Sequence, residues 1–218
     1  MLTKSKTKNM KRYIYNIFNI ASAFAVLSIL FFSCDEDGDS VGVSTVTYFP
    51  SFELTAGDNV VITKGTSFTP EAVVMEGENV LTPTITNGVD NAVPGVYQVL
   101  YSALNSDGYS GAKSQQVIVY DPAIIPTDVT GNIADIGRPE RKGVITLVPG
   151  TTNIYHCTDM GFGGLFPLYF QMEGDIMTVI PQAFAFGVTS VDASYDPVTK
   201  QFSTLMNPQG FAYNFQYE

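Results

Sequence analysis

Pro94-Gly95-Val96-Tyr97-Gln98-Val99-Leu100-Tyr101-Ser102-Ala103 alternates at period two, with Tyr97, Val99, Tyr101 and Ala103 on one face of an extended chain and Gln98 and Ser102 on the other. This is the pattern of a half-buried strand. Asn105-Ser106-Asp107-Gly108 follows with turn chemistry, so Ala112 to Tyr120 is predicted to return as the antiparallel partner. Outward from this hairpin the same grammar repeats. From Val43 onward, short runs of Val, Ile, Thr, Tyr and Phe are punctuated by Gly, Pro, Asn and Asp at spacings of roughly eight to twelve residues. No window combines a three-and-four apolar repeat with caps, so long helices are not expected. The fold class is all-β, and Asp121-Pro122-Ala123-Ile124-Ile125-Pro126-Thr127-Asp128, whose prolines cannot donate to a sheet, divides it into two halves.

The P-G-x-Y-x-V-x-Y run and the last V-x-V strand, Val117-Ile118-Val119, resemble bacterial immunoglobulin-like domains of the surface-protein type. The resemblance implies a sandwich over residues 43–121, with Tyr97 at the tyrosine corner and Val99 where antibody domains carry a disulfide Cys. A second β-sandwich or barrel-like domain is expected over 129–218, after a linker at 122–128. About eight strands are predicted there: Gly131 to Asp135, Gly143 to Val148, Asn153 to Cys157, Leu165 to Gln171, Asp175 to Ile180, Phe184 to Ser190, Asp192 to Tyr195 paired with Gln201 to Met206, and Phe211 to Tyr217. Asp196-Pro197-Val198-Thr199-Lys200 turns that pair, with Pro at the second position of a type I turn. Val129 to Asn132, Ile154 to Gly164 and Tyr195 to Lys200 carry V-T-G-N, I-Y-x-x-x-D-x-G-F-G-G and Y-D-P-x-T-K. This order is similar to the C-terminal domain of a Bacteroidetes-type lipoprotein family of unknown function, in which it follows an immunoglobulin-like domain.

The amino terminus reads as an address. Lys4, Lys6, Lys8, Lys11 and Arg12 precede an apolar stretch from Ala21 to Phe32, broken only by Ser22 and Ser28, and Ser33 follows. Residues 1–33 are therefore expected to be a cleaved secretory signal, with Met1 or Met10 as its start. A membrane anchor would need ~20 apolar residues, a length reached only by including Asn16 and Asn19. Leu30-Phe31-Phe32-Ser33-Cys34 resembles the lipobox of bacterial lipoproteins, which implies acyl chains on Cys34 as the contact with the outer membrane. Asp35, Glu36, Asp37 and Asp39, within an acidic tether at 34–42, resemble an export tag that leads to the cell surface; retention on the periplasmic face is the alternative. The tether is not a helix-loop-helix calcium loop, because the twelfth residue from Asp35 is Val46 and not a bidentate Glu.

The 218 residues carry 11 Lys and Arg against 21 Asp and Glu, a formal charge of -10 that becomes -15 once residues 1–33 are removed. Nucleic-acid partners are excluded by that sign. One His and two Cys cannot build a four-ligand zinc site or a disulfide framework, and neither metal nor cofactor is expected. His156 and Cys157 are strand neighbours that point to opposite faces, which defeats a thiol-imidazole dyad and favours a buried, unreactive Cys. A serine triad lacks the G-x-S-x-G elbow, and Gly161-Phe162-Gly163-Gly164 lacks the third glycine and the helix of a dinucleotide fingerprint. Paired carboxylates for glycoside cleavage can be drawn from Asp159, Glu173 and Asp175.

Aromatic side chains concentrate late, with 13 of 27 in the last 68 residues, but Phe211, Tyr213, Phe215 and Tyr217 share a face that reads first as core. The loop of Asp159, Phe162, Gly163, Gly164 and Phe166 is the candidate ligand site: Phe162 is expected to be exposed, and glycines allow close approach. Asp159 is expected to bond to its own turn amides sooner than to a metal. These readings lead to a non-catalytic surface lipoprotein whose ligand is a glycan or another protein, with structural adhesion and hydrolysis as the competing classes.

Overall fold

The computed structural model describes residues 46–218, so the expected signal at 1–33, Cys34, and the run Asp35, Glu36, Asp37 and Asp39 lie outside the described residues. Tyr48–Glu218 is one compact unit. Its first half contains β1 (Ser51–Leu54), β2 (Asn59–Thr63), β3 (Ala72–Glu76), β4 (Asn79–Leu81), β5 (Thr84–Asn87), β6 (Gly95–Leu104) and β7 (Ser110–Tyr120). These make a sandwich of a three-stranded sheet, β1-β3-β4, and a four-stranded sheet, β2-β7-β6-β5, in which β2 runs parallel to β7.

The period-two segment is β6, paired with β7 from Gly95 opposite Val119 to Leu104 opposite Ser110. Val99 and Tyr101 are fully buried, and with Leu54 and Val117 they form the core between the sheets, packed by Phe52, Ile62 and Phe68. Each such side chain contributes about 1.5–3 kcal/mol by leaving water. The Tyr101 hydroxyl donates to Gln115 Oε1 at 2.7 Å, and Gln115 Nε2 donates to the Gly57 carbonyl at 2.6 Å, so the polar tips in this core are partnered. Tyr97 Oη donates to the Val93 carbonyl at 2.9 Å, four residues upstream, which is the corner bond expected of it.

The second half is an eight-stranded antiparallel sheet built from β8 (Gly131–Asp135), β9 (Lys142–Leu147), β10 (Ile154–Cys157), β11 (Leu168–Glu173), β12 (Ile176–Val179), β13 (Ser190–Asp196), β14 (Gln201–Asn207) and β15 (Phe211–Tyr217). The order β12-β11-β10-β9-β8-β15-β14-β13 is a meander in which the last strand pairs with the first, Phe215 opposite Asp135 and Tyr217 opposite Ile133. The free edges of β12 and β13 approach each other, so the sheet curls into a nearly closed barrel. Alternate residues point inward: Tyr155 and Cys157, Leu168, Phe170 and Met172, Phe202 and Met206, and Phe215, all buried in one cluster with Ile133 and Ile145. The interior is packed with side chains.

Eight of the nine predicted segments form strands, two with the expected limits, Gly131–Asp135 and Phe211–Tyr217. The exception is Phe184 to Ser190, of which only Ser190 enters a strand. Phe186 and Gly187 adopt φ of 57° and 70°, a left-handed pair that ends extended structure despite the alternation of Phe184, Phe186 and Val188.

The segment 122–128 is tied down on both sides. Thr127 N donates to the Gly174 carbonyl and Gly174 N to the Ile125 carbonyl, both at 2.8 Å, and Asn153 Nδ2 donates to the Asp121 carbonyl at 2.7 Å. Beside it, Ile118 of the sandwich and Val148, Ile154 and Ile180 of the barrel form a small shared core, packed by Val61, Val96 and Tyr169.

Candidate functional site

In an antiparallel meander, alternate connections lie at the same end. The segments 136–141, 158–167, 180–189 and 208–210, which follow β8, β10, β12 and β14, therefore meet at one mouth of the barrel, away from the end formed by 148–153, 174–175 and 197–200. Barrel mouths with filled interiors present their loops, and not a lumen, to a ligand.

The loop 158–167 is organised by Asp159, which is fully buried. Its Oδ1 accepts from the amides of Gly161 at 3.1 Å and Phe166 at 3.2 Å, and its Oδ2 from the amide of Gly164 at 2.5 Å. The carboxylate thus stands in for the missing backbone acceptors of an irregular, buried turn. Met160 N donates to the Phe166 carbonyl at 2.9 Å and Thr204 Oγ1 to the Met160 carbonyl at 3.0 Å, which pins the loop to β14. Gly163 and Gly164 take φ of 80° and 93°, conformations closed to most side chains, and a Cβ at Gly161 would collide with Met206.

Phe162 is half-buried at the centre of a ring cluster. Its centroid lies 5.2 Å from Phe186, 5.6 Å from Phe166, 5.7 Å from Phe211 and 5.9 Å from Tyr213, mostly edge to face. Phe166, 1% exposed, belongs to the core and stacks on Phe184. The solvent side of the cluster is formed by Phe186 (58% exposed) and Phe211 (49%), and Leu165 of the same loop is 61% exposed. Gln209 Nε2 donates to the Phe186 carbonyl at 3.2 Å and holds that left-handed residue in place.

The structure brings Asp159, Phe162, Gly163, Gly164 and Phe166 into one loop but gives them different work: Asp159 and Phe166 face inward, the glycines shape the turn, and Phe162, expected to be exposed, is half-buried because Phe186 and Phe211 pack on it. Sequence reasoning missed Phe186, which it assigned to a strand, and placed Phe211 in the core. It also missed Arg138 and Arg141, although three of the six basic residues after position 34 fall within 138–142. Both arginines line an open cleft of about 740 Å³ beside the rings, together with Gln201, Phe211, Tyr213 and Asn214.

The chemistry-bearing pair of β10 diverges as expected. His156 lies on the outer face with its ring 4.4 Å from that of Tyr169, and burial lowers its pKa. Cys157 points into the barrel, where burial pushes the thiol up to about 12 and Sγ donates to the Asp159 carbonyl at 3.2 Å. Neither a thiolate nor an imidazole partner for it is present in that position. Glu173 and Asp175 lie beside the turn after β11, at the opposite end of the barrel from Asp159, and the Asp175 carboxylate accepts from Thr127 Oγ1 at 2.6 Å.

Residues 52–119 match the family model described as bacterial surface protein, Ig-like domain. The match lies on the sandwich, which is therefore an immunoglobulin-like domain. No curated protein matches the chain. Among solved structures, the crystal structure of the lipoprotein BT2262 from Bacteroides thetaiotaomicron is similar at 18% identity, covering 77% of this chain and 98% of that one, with a TM-score of 0.39.

Proposed function

We propose that this protein is a lipid-anchored, non-catalytic binding protein of the bacterial cell surface, in which the immunoglobulin-like domain serves as a spacer and the mouth of the barrel takes a carbohydrate. The observation that carries the reading is the pair of exposed rings, Phe186 and Phe211, held on the Phe162 cluster where four loops converge. Exposed rings backed by packed rings offer flat faces to sugar rings at little cost in side-chain entropy. The burial of Cys157 and the use of the Asp159 carboxylate by its own loop support binding without turnover.

A lipid-free chain starting at position 35 should retain glycans on an array and return them unhydrolysed. Phe186→Ala combined with Phe211→Ala should abolish retention with only a small drop in melting temperature, because about half of each residue's surface is in water already. Retention that survives the double substitution would move the site elsewhere, and retention of proteins in place of glycans would favour an adhesion role. Anchoring is tested separately. A fatty-acid probe should label the wild type and not Cys34→Ser, and protease added to intact cells should remove the domain if it is displayed outward. Equal labelling of both chains would rule out Cys34 as the acylated residue.

A further inference from the structure

Starting from the reading that the mouth binds a sugar, we propose that its ligand is an acidic saccharide, whose anionic group is held by Arg138 and Arg141 while its ring lies against Phe211 and Tyr213. The chain after residue 33 carries a formal charge of -15, so an anion is repelled by most of its surface. The exception is local. Of the six basic residues after that point, three lie within 138–142, and Lys142 is already paired with the Glu218 carboxylate. Among the described residues, neither Arg138 nor Arg141 has an ion-pair partner, and both line the cleft.

The one carboxylate among the described residues that lines the cleft is turned away from it. Asp135 also lines the cleft, but it is buried, and its Oδ1 is turned into the loop to accept from the amides of Gly137 at 2.8 Å and Arg138 at 3.2 Å. The Arg141 guanidinium carbon sits 5.5 Å from the centre of the Tyr213 ring, an arrangement that orients the planar fork without consuming its N–H donors. A planar fork is suited to a carboxylate or sulfate, which it meets through paired hydrogen bonds. Phe211 supplies an open ring face next to it. Asn214 accepts from Ser203 Oγ through Oδ1 at 2.8 Å, which leaves its Nδ2 hydrogens for sugar hydroxyls, and Gln201 adds a second amide. The volume of about 740 Å³ holds a short oligosaccharide.

The test is calorimetric titration of the lipid-free chain with four probes: oligogalacturonate, its methyl ester, dextran sulfate and unmodified dextran. Binding of an acidic probe, weakened by added salt, is expected, with the neutral counterpart at least about tenfold weaker. Preference for oligogalacturonate assigns a uronate, and preference for dextran sulfate a sulfate ester. Arg138→Gln with Arg141→Gln should lose about a hundredfold in affinity for the acidic probe, and Arg138→Lys with Arg141→Lys should recover part of it, since charge returns without the fork. Equal binding of acidic and neutral probes, with loss in Phe211→Ala, would overturn the acidic ligand and leave the carbohydrate reading standing. Acidic binding that survives the Gln pair would also overturn it. Competition by free acetate or sulfate as strong as by the oligosaccharide, with no effect of Phe211→Ala, would overturn the saccharide part along with the carbohydrate reading. Absence of binding by all four probes would count against both.

Discussion

Tyr97 and Asp159 solve the same problem with different atoms. The chain at each position leaves backbone groups without a sheet partner, and one polar side chain satisfies them. Tyr97 gives one hydrogen bond, to the Val93 carbonyl, and burial together with Asp90 raises its pKa. Tyr97→Phe removes that donor and keeps the ring, so the expected loss is about 1 kcal/mol, read as a lower denaturant midpoint with an unchanged slope. An unchanged midpoint would show that the bond contributes nothing. Asp159 accepts from three amides in a dry turn, and its role was legible because Asp before a glycine run commonly folds back on its own loop. What could not be read was that burial would be complete, since that depends on β14 delivering Thr204 and Met206 from more than forty residues away.

At the scale of elements, period two identified strands wherever both neighbours were also strands. β6 with β7, and β13 with β14 across the Asp196 turn, follow from local pattern and turn chemistry; Asp196 Oδ1 accepts from the Val198 amide at 2.9 Å and Oδ2 from Thr199 Oγ1 at 2.7 Å. The pattern misled at Phe184 to Ser190, where alternating apolar residues are the rings of a loop. Periodicity records which residues are apolar, whereas the left-handed turn at Phe186 and Gly187 is imposed by the cluster around Phe162. That cluster yields a contrast between two truncations. Phe162→Ala removes a half-buried ring with four aromatic neighbours and should cost about 3 kcal/mol, while Phe186→Ala removes an exposed ring and should cost well under 1 kcal/mol. Thermal melts of the two variants check this. Equal losses would mean that Phe186 is as much a part of the packing as Phe162.

For the whole molecule, the choice between sandwich and barrel was not legible, because it depends on which distant strands pair and not on any one of them. The meeting of Arg138, Phe162, Phe186 and Phe211 at one mouth has the same origin. The relation of the two halves is likewise a property of the assembled chain: the proline-bearing joint suggested separation, yet Ile118, Val148, Ile154 and Ile180 bury one another across it. Ile154→Asp would place a carboxylate in that small core. A barrel and a sandwich that melt together in the wild type should then melt in two steps, seen by calorimetry, because a buried unpaired charge costs more than this cluster contributes. A single transition at the wild-type temperature would show that the shared core does not couple them.

The pairing of β15 with β8 has a further consequence for how such a chain is made. The strand that seals the barrel, Phe211–Tyr217, is the last of that half to be synthesised, and its partner, Gly131–Asp135, is the first. Until Phe211–Tyr217 is available, β8 has an open edge and Phe215 has no place in the core, so the barrel cannot finish folding. A polypeptide drawn through a secretion channel from its amino terminus would therefore keep this half threadable until nearly all of it had crossed.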